Sequence, residues 1–223
     1  MSEPHSIDIT QWPRRAAFQF FRGFDKPWFS VCTRLNVAAL KAALASQRVG
    51  SFWLAYHFIA MQVVNQTPAM RLRFTADGQG VRVLDLVHAG TTVLRSDTSF
   101  AMLTLRQTRG YAAFCAAAQP ALETARALDS PFLPVDTLPA NEGLIHTTTL
   151  PWIHFTSFDH ARPRGVDEDV PKIAFGRAER EGARLLMPIA VEVNHALADG
   201  LHVGLYLQAL QAALDTPQDW LAS

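Results

Sequence analysis

The stretch Val193-Asn194-His195-Ala196-Leu197-Ala198-Asp199-Gly200-Leu201-His202-Val203 places an imidazole four residues before a carboxylate, with a glycine directly after. Imidazole has an ordinary pKa of about 6.5, which suits it to take a proton near neutrality. A carboxylate ahead of an apolar run also has the composition of a helix N-cap, accepting backbone N–H groups. Two readings therefore stand side by side. His195 is either a general base presented at the end of a strand or a partly buried histidine at an ordinary strand-to-helix turn. His202 falls in the first turn of the following helix, where packing or capping accounts for it. His195 and Asp199 lack a third ligand at metal-site spacing. The chain has no GxxxxGK phosphate loop, no GxGxxG after a strand and no GxSxG elbow. Cys32, the other candidate nucleophile, lies in a strand-like run and reads as a packed thiol.

These residues need elements to hold them. Residues Arg184 to Val193 read as a strand that delivers His195, and Leu201 to Leu214 as a closing amphipathic helix. Upstream, Trp12 to Arg22 reads as a helix with Pro13 in its first turn. Trp28 to Leu35 alternates like a strand. Val37 to Ala45 and Ser51 to Asn65 read as helices, the second apolar on most sides and so buried. Met70 to Phe74 and Val81 to Leu84 flank Asp77-Gly78-Gln79-Gly80 and predict a hairpin. Strands are expected at Thr91 to Leu94, Phe100 to Leu105 and Leu144 to Leu150, and a helix at Gly110 to Leu128. The segment Pro131 to Pro139 reads as an ordered loop. This mixture favours an α+β fold, with a mixed β-sheet flanked by helices in one domain over residues 1–223.

The chain has 223 residues, 49% apolar and 18% charged, with a formal net charge of zero. That is ample for a sizeable core. It gives no general attraction to nucleic acid or an anionic membrane. Two cysteines far apart make no disulfide framework and read as free thiols, although one disulfide stays open. The first residues lack the pattern of a signal peptide, and the greasiest run, Phe52 to Val64, is too short to span a bilayer. A soluble cytoplasmic protein is expected.

The same stretch resembles the signature of the chloramphenicol acetyltransferases, Q-V-H-H-A-x-x-D-G-F-H-V. Residues Ile7 to Arg15 resemble that family's opening D-I-x-x-W-x-R. Leu150 to Asp159 resembles its P-W-x-x-F-x-S-F segment, and Glu181 to Pro188 the approach to the signature strand. Several separated segments in one order carry the likeness along nearly the whole chain. It implies the mixed-sheet fold shared with dihydrolipoamide acyltransferase catalytic domains, and a homotrimer with active sites at subunit interfaces. It implies acetyl transfer from acetyl-CoA, a co-substrate and not a permanently bound cofactor, to a hydroxyl of chloramphenicol. On this resemblance His195 is the general base, and Asp199 pairs with Arg14 to hold the motif. Thr148 stands where a serine bonds the oxyanion, and Arg177 where a lysine lies near the CoA phosphates. No metal is implied.

The departures from the family pattern concentrate around the alcohol. Phe21, Phe100, His160, Lys172 and Ala174 fall at expected acceptor-pocket positions. Phe21 replaces a tyrosine, Ala174 a threonine, and His160 and Lys172 apolar residues. Asn194, Glu192 and Leu201 also depart from the signature. Charge in an apolar pocket is costly. Two alternatives stay open: the same chemistry on another alcohol, and a noncatalytic trimeric binding protein on this scaffold.

Overall fold

Alternation decides the strands of this chain and the 3.6-residue period its helices. The computed structural model describes residues 5–45, 50–127, 138–163 and 168–222. Strand β1 (His5–Ile7) leads to helix α1 (Arg15–Phe21), strand β2 (Trp28–Asn36), and helices α2 (Ala38–Ala45) and α3 (Phe52–Gln66). A 3-10 turn at Pro68–Arg71 precedes β3 (Leu72–Phe74) and β4 (Val81–Val83), which pair as the expected hairpin. Then come β5 (Leu86–Leu94), β6 (Phe100–Leu105), α4 (Tyr111–Ala127) and β7 (Glu142–Leu150). The chain continues through β8 (Lys172–Gly176), β9 (Glu179–Glu181), β10 (Arg184–Asn194), α5 (Gly200–Asp215) and α6 (Gln218–Leu221). Most of the expected loop at Pro131 to Pro139 lies outside the described residues. Among the described residues no helix is long and apolar enough to cross a membrane.

The architecture is α+β. Strands β2-β10-β8-β7-β5-β6 form the main sheet in that order, with β9 paired to one end of β10. The β5/β7 and β7/β8 pairs are parallel and the others antiparallel, so the sheet is mixed. Strands β1, β4 and β3 make a small second sheet. Strand β10 is the longest strand and is buried from Leu186 to Asn194. Such burial on both faces follows from its side chains. Ile189, Val191 and Val193 join the main core with α3 and α5, while Ala190 packs with Ala174 and Phe155 on the opposite face. Helices thus cover one face. The segment around Phe155–His160 covers part of the other, with Ser30 Oγ donating to the Phe158 carbonyl.

Helix α3 carries much of the core and starts on Ser51, whose hydroxyl accepts the Leu54 N–H at 3.2 Å. It also buries His57 completely. The Trp53 carbonyl accepts from Nδ1 at 2.9 Å, which fixes the tautomer and leaves Nε2 to accept from the Thr147 hydroxyl at 3.2 Å. Burial lowers the His57 pKa from 6.5 to about 4, because charging the ring would cost its solvation. The unfolded chain therefore binds a proton that the native chain refuses between those values. Stability is fully present above pH 6.5 and falls as the pH drops toward 4, by about 1.4 kcal/mol per unit and about 3 kcal/mol in all. Urea unfolding at stepped pH checks this: His57→Gln should flatten the acid limb by that slope. Parallel curves for the two proteins would refute the assignment.

Candidate active site

One corner of the molecule is built on Arg14, just ahead of α1. Its Nη1 pairs with Asp199 Oδ2, and its Nη2 donates to the His195 carbonyl at 2.9 Å. The His195 N–H donates to the Pro27 carbonyl at 2.6 Å, so the backbone here is gripped from both sides. Asp199 is extended and caps α5: its Oδ1 accepts from the Leu201 N–H at 3.1 Å and from His202 Nδ1 at 2.7 Å. Burial opposes ionisation of Asp199, but the His202 hydrogen bond and the Arg14 charge outweigh it and hold the carboxyl below its ordinary range. Gly200 opens the helix with no positive φ, and a side chain there would meet open space. The turn therefore comes from the Asp199 backbone and cap, and needs no glycine.

The His195 ring stacks on Phe21, with centroids 3.8 Å apart and planes 8° apart, and Phe29 lies at 4.7 Å. Its Nδ1 is buried and has no hydrogen-bond partner among the described residues. That leaves Nε2 as the nitrogen within reach of a second molecule. Phe21 thus positions the imidazole. Phe20, Phe21 and Phe24 form an aromatic group beside it, and Phe20 is largely exposed.

The other expected residues stand elsewhere. Cys32, Ala190, Ala174, Thr148 and Thr92 form one row across the sheet, on the face away from the helices. The hydroxyls of Thr148 and Thr92 lie 3.3 Å apart. Thr148 opens into a groove of about 1470 Å³ whose lining includes Phe100, Trp152, Arg177, Lys41 and Arg126. Arg177 is paired with Glu179. Lys41 lies over the Phe52 ring, 5.0 Å from its centroid. Lys41 and Arg126 were not anticipated from the sequence, because they belong to helices far from any motif.

Lys172 and His160 do not put charge into an apolar pocket. Glu192 Oε1 accepts from the His160 N–H at 2.9 Å and from Nδ1 at 2.5 Å, and Oε2 accepts from Arg162 at 2.7 Å. Arg162 also donates to Glu168 at 3.0 Å, and Lys172 lies 3.1 Å from the same carboxylate while donating to the Ala161 carbonyl. Each charge in this buried chain has its counter-charge. Burial disfavours ionised Glu192, yet His160 and Arg162 prevail and keep its pKa below the usual value. The departures at Glu192, His160 and Lys172 are thus mutually compensating.

Register separates His195 from Thr148. His195 is five residues beyond Ala190, and Thr148 is two strands away from Ala190. At 3.3 Å per residue and 4.8 Å per strand they lie about 15–20 Å apart, so one alcohol cannot touch both groups of one chain. Among the described residues no cluster of three or more His, Cys, Asp or Glu could hold a metal.

Residues 3–211 match the family model for chloramphenicol acetyltransferase. The chain belongs to the chloramphenicol acetyltransferase family. It is 32% identical to a chloramphenicol acetyltransferase of Streptomyces acrimycini over 220 residues, 98% of this chain and 97% of the relative. It is 29% identical to chloramphenicol acetyltransferase 3 of Escherichia coli over 92% of this chain and 94% of the relative. A solved chloramphenicol acetyltransferase superposes with a TM-score of 0.77 at 25% identity, covering 93% of this chain and 98% of that one. The dihydrolipoamide acetyltransferase of Azotobacter vinelandii shares the fold, with a TM-score of 0.70 at 16% identity over 98% and 93% of the two chains. Family membership makes this protein an acyltransferase.

The Arg14–Asp199 corner is the part of this family member that combines a cap with an ion pair. Asp199→Ala should lower stability by about 1–3 kcal/mol through loss of both. Asp199→Asn keeps a capping oxygen and should lose less. Thermal melts of the two variants check the order; equal losses would mean that the cap contributes nothing.

Proposed function

We propose that this protein is an acetyl-CoA-dependent O-acetyltransferase that acts on chloramphenicol, as a homotrimer with its active sites between subunits. The observation that carries the reading is a pair of half-sites. One is a corner that presents His195; the other is a groove that presents the Thr148 hydroxyl. They are too far apart to act within one chain, yet complete one another across two. Relatives named for acetylation of chloramphenicol over almost their whole length support the same reaction.

In this mechanism His195 Nε2 takes the proton of the alcohol as its oxygen attacks the thioester carbonyl carbon. The stacked Phe21 and the gripped backbone hold the imidazole on that trajectory. The Thr148 hydroxyl donates to the oxyanion as the carbonyl becomes tetrahedral. Collapse of that intermediate breaks the carbon–sulfur bond, and the imidazolium returns its proton to the leaving thiolate. No acyl-enzyme forms. Acetyl-CoA serves as co-substrate along the groove, with its phosphates toward the cations Arg177, Lys41 and Arg126. Of these Arg177 is partly neutralised by Glu179, so Lys41 and Arg126 share the role. Phe100 borders the acceptor, while Ala174 is fully buried and His160 and Lys172 are held by Glu192 and Glu168.

Purified protein should release CoA thiol from acetyl-CoA and chloramphenicol. His195→Ala should cut kcat by a factor between about 10² and 10⁴ with the oligomer intact. Absence of thiol release from the unaltered protein, with chloramphenicol and with a panel of other alcohols, would leave only a binding role.

Mixing tests the interfacial site directly. His195→Ala and Thr148→Ala chains, each nearly inactive, should regain about a quarter of the unaltered activity when unfolded together and reassembled, since random cyclic assembly gives one site in four both intact residues. A site confined to one chain gives no recovery.

A further inference from the structure

His195 sits inside a turn that its neighbour Asn194 closes. Asn194 ends β10 and is buried. Its Oδ1 accepts from the Ala196 N–H at 3.0 Å, an Asx turn that spans His195. Its backbone carbonyl accepts from the Leu197 and Ala198 N–H groups, each at 3.0 Å. Its Nδ2 donates to the Glu168 carbonyl at 3.2 Å. A donor on one side and an acceptor on the other admit one orientation of the amide.

The anchor is itself held. The Glu168 carbonyl also accepts from Trp28 Nε1 at 2.7 Å, and Trp28 is the cross-strand partner of Asn194. The Arg162 guanidinium lies 4.5 Å from the Trp28 ring centroid, and the Glu168 carboxylate pairs with Arg162 and Lys172. The buried charges thus fix a carbonyl from which the turn around His195 hangs. Stacking on Phe21 sets the plane of the imidazole. Its Nδ1 has no hydrogen-bond partner among the described residues, so the direction of the ring within that plane follows the backbone turn.

We propose that Asn194 is a positioning residue for the transfer reaction. By closing the turn and tying it to Glu168, it sets where His195 Nε2 points. The proposal rests on the acetyl-transfer reading above.

The test follows the histidine ring protons of the assembled protein by NMR, with the His195 signal identified by its loss in His195→Ala. In the unaltered protein the stacked Phe21 ring shifts that signal upfield. Asn194→Leu should move it back toward the position of an unstacked imidazole. The same variant should cut kcat by about ten- to a hundredfold, the cost of a small misplacement, while the KM values for acetyl-CoA and chloramphenicol stay the same. Asn194→Ser, whose hydroxyl can accept from the Ala196 N–H, should regain part of both. If the leucine variant does not fold, Asn194→Ala takes its place. A folded variant with an unmoved signal or an unchanged kcat overturns the proposal. So does a loss carried by KM alone, or a serine variant no better than the leucine one. Failure of the unaltered protein to turn over any alcohol overturns the transfer reading instead, and the ring signal still decides whether Asn194 sets the imidazole.

Discussion

Arg14 ties three parts of the chain into one corner. It neutralises Asp199, holds the carbonyl of His195 and sits at the start of the helix that supplies Phe21. A guanidinium suits this task because its planar fork serves two acceptors at once, which an ammonium does less well. The His195 backbone and the start of α5 both depend on this contact. Strand β10 brings His195 to the corner, but a strand ending alone would leave the imidazole free to rotate. The fixed backbone and the stacked phenyl ring remove that freedom before any substrate arrives.

The second constraint is the strict alternation of the sheet. It sends Thr147 toward His57 in the core and Thr148 to the opposite face. One strand therefore turns adjacent threonines to opposite faces of the sheet. The same alternation puts His146 with Thr148, and Lys172 with Ala174. Register along the strands places His195 and Thr148 at different heights.

Much of this was legible in the sequence, for identifiable reasons. Helix α3, strand β10 and the β3–β4 hairpin follow from local pattern, and their limits are close to those expected. The pairing of Arg14 with Asp199 came from the resemblance and is met in the structure. Strand β8 was missed because it is only five residues long and begins with lysine next to Pro171. Its burial is imposed by neighbours on both sides and not by its own periodicity. Lys172 and His160 looked like isolated charges, since their partners Glu168, Arg162 and Glu192 are joined to them by folding and not by sequence spacing.

The chain of charges from His160 through Glu192, Arg162 and Glu168 to Lys172 has a consequence for how such a protein can change over generations. Its members are strongly epistatic. Replacing Lys172 alone by an apolar residue would leave Glu168 with Arg162 as its partner, and losing Arg162 alone would take one partner from each of Glu168 and Glu192. An apolar wall is reachable only if several of these positions change together. Drift at this face therefore proceeds through sets of residues, and a lineage that has acquired the ionic wall cannot leave it by single steps without passing through less stable intermediates.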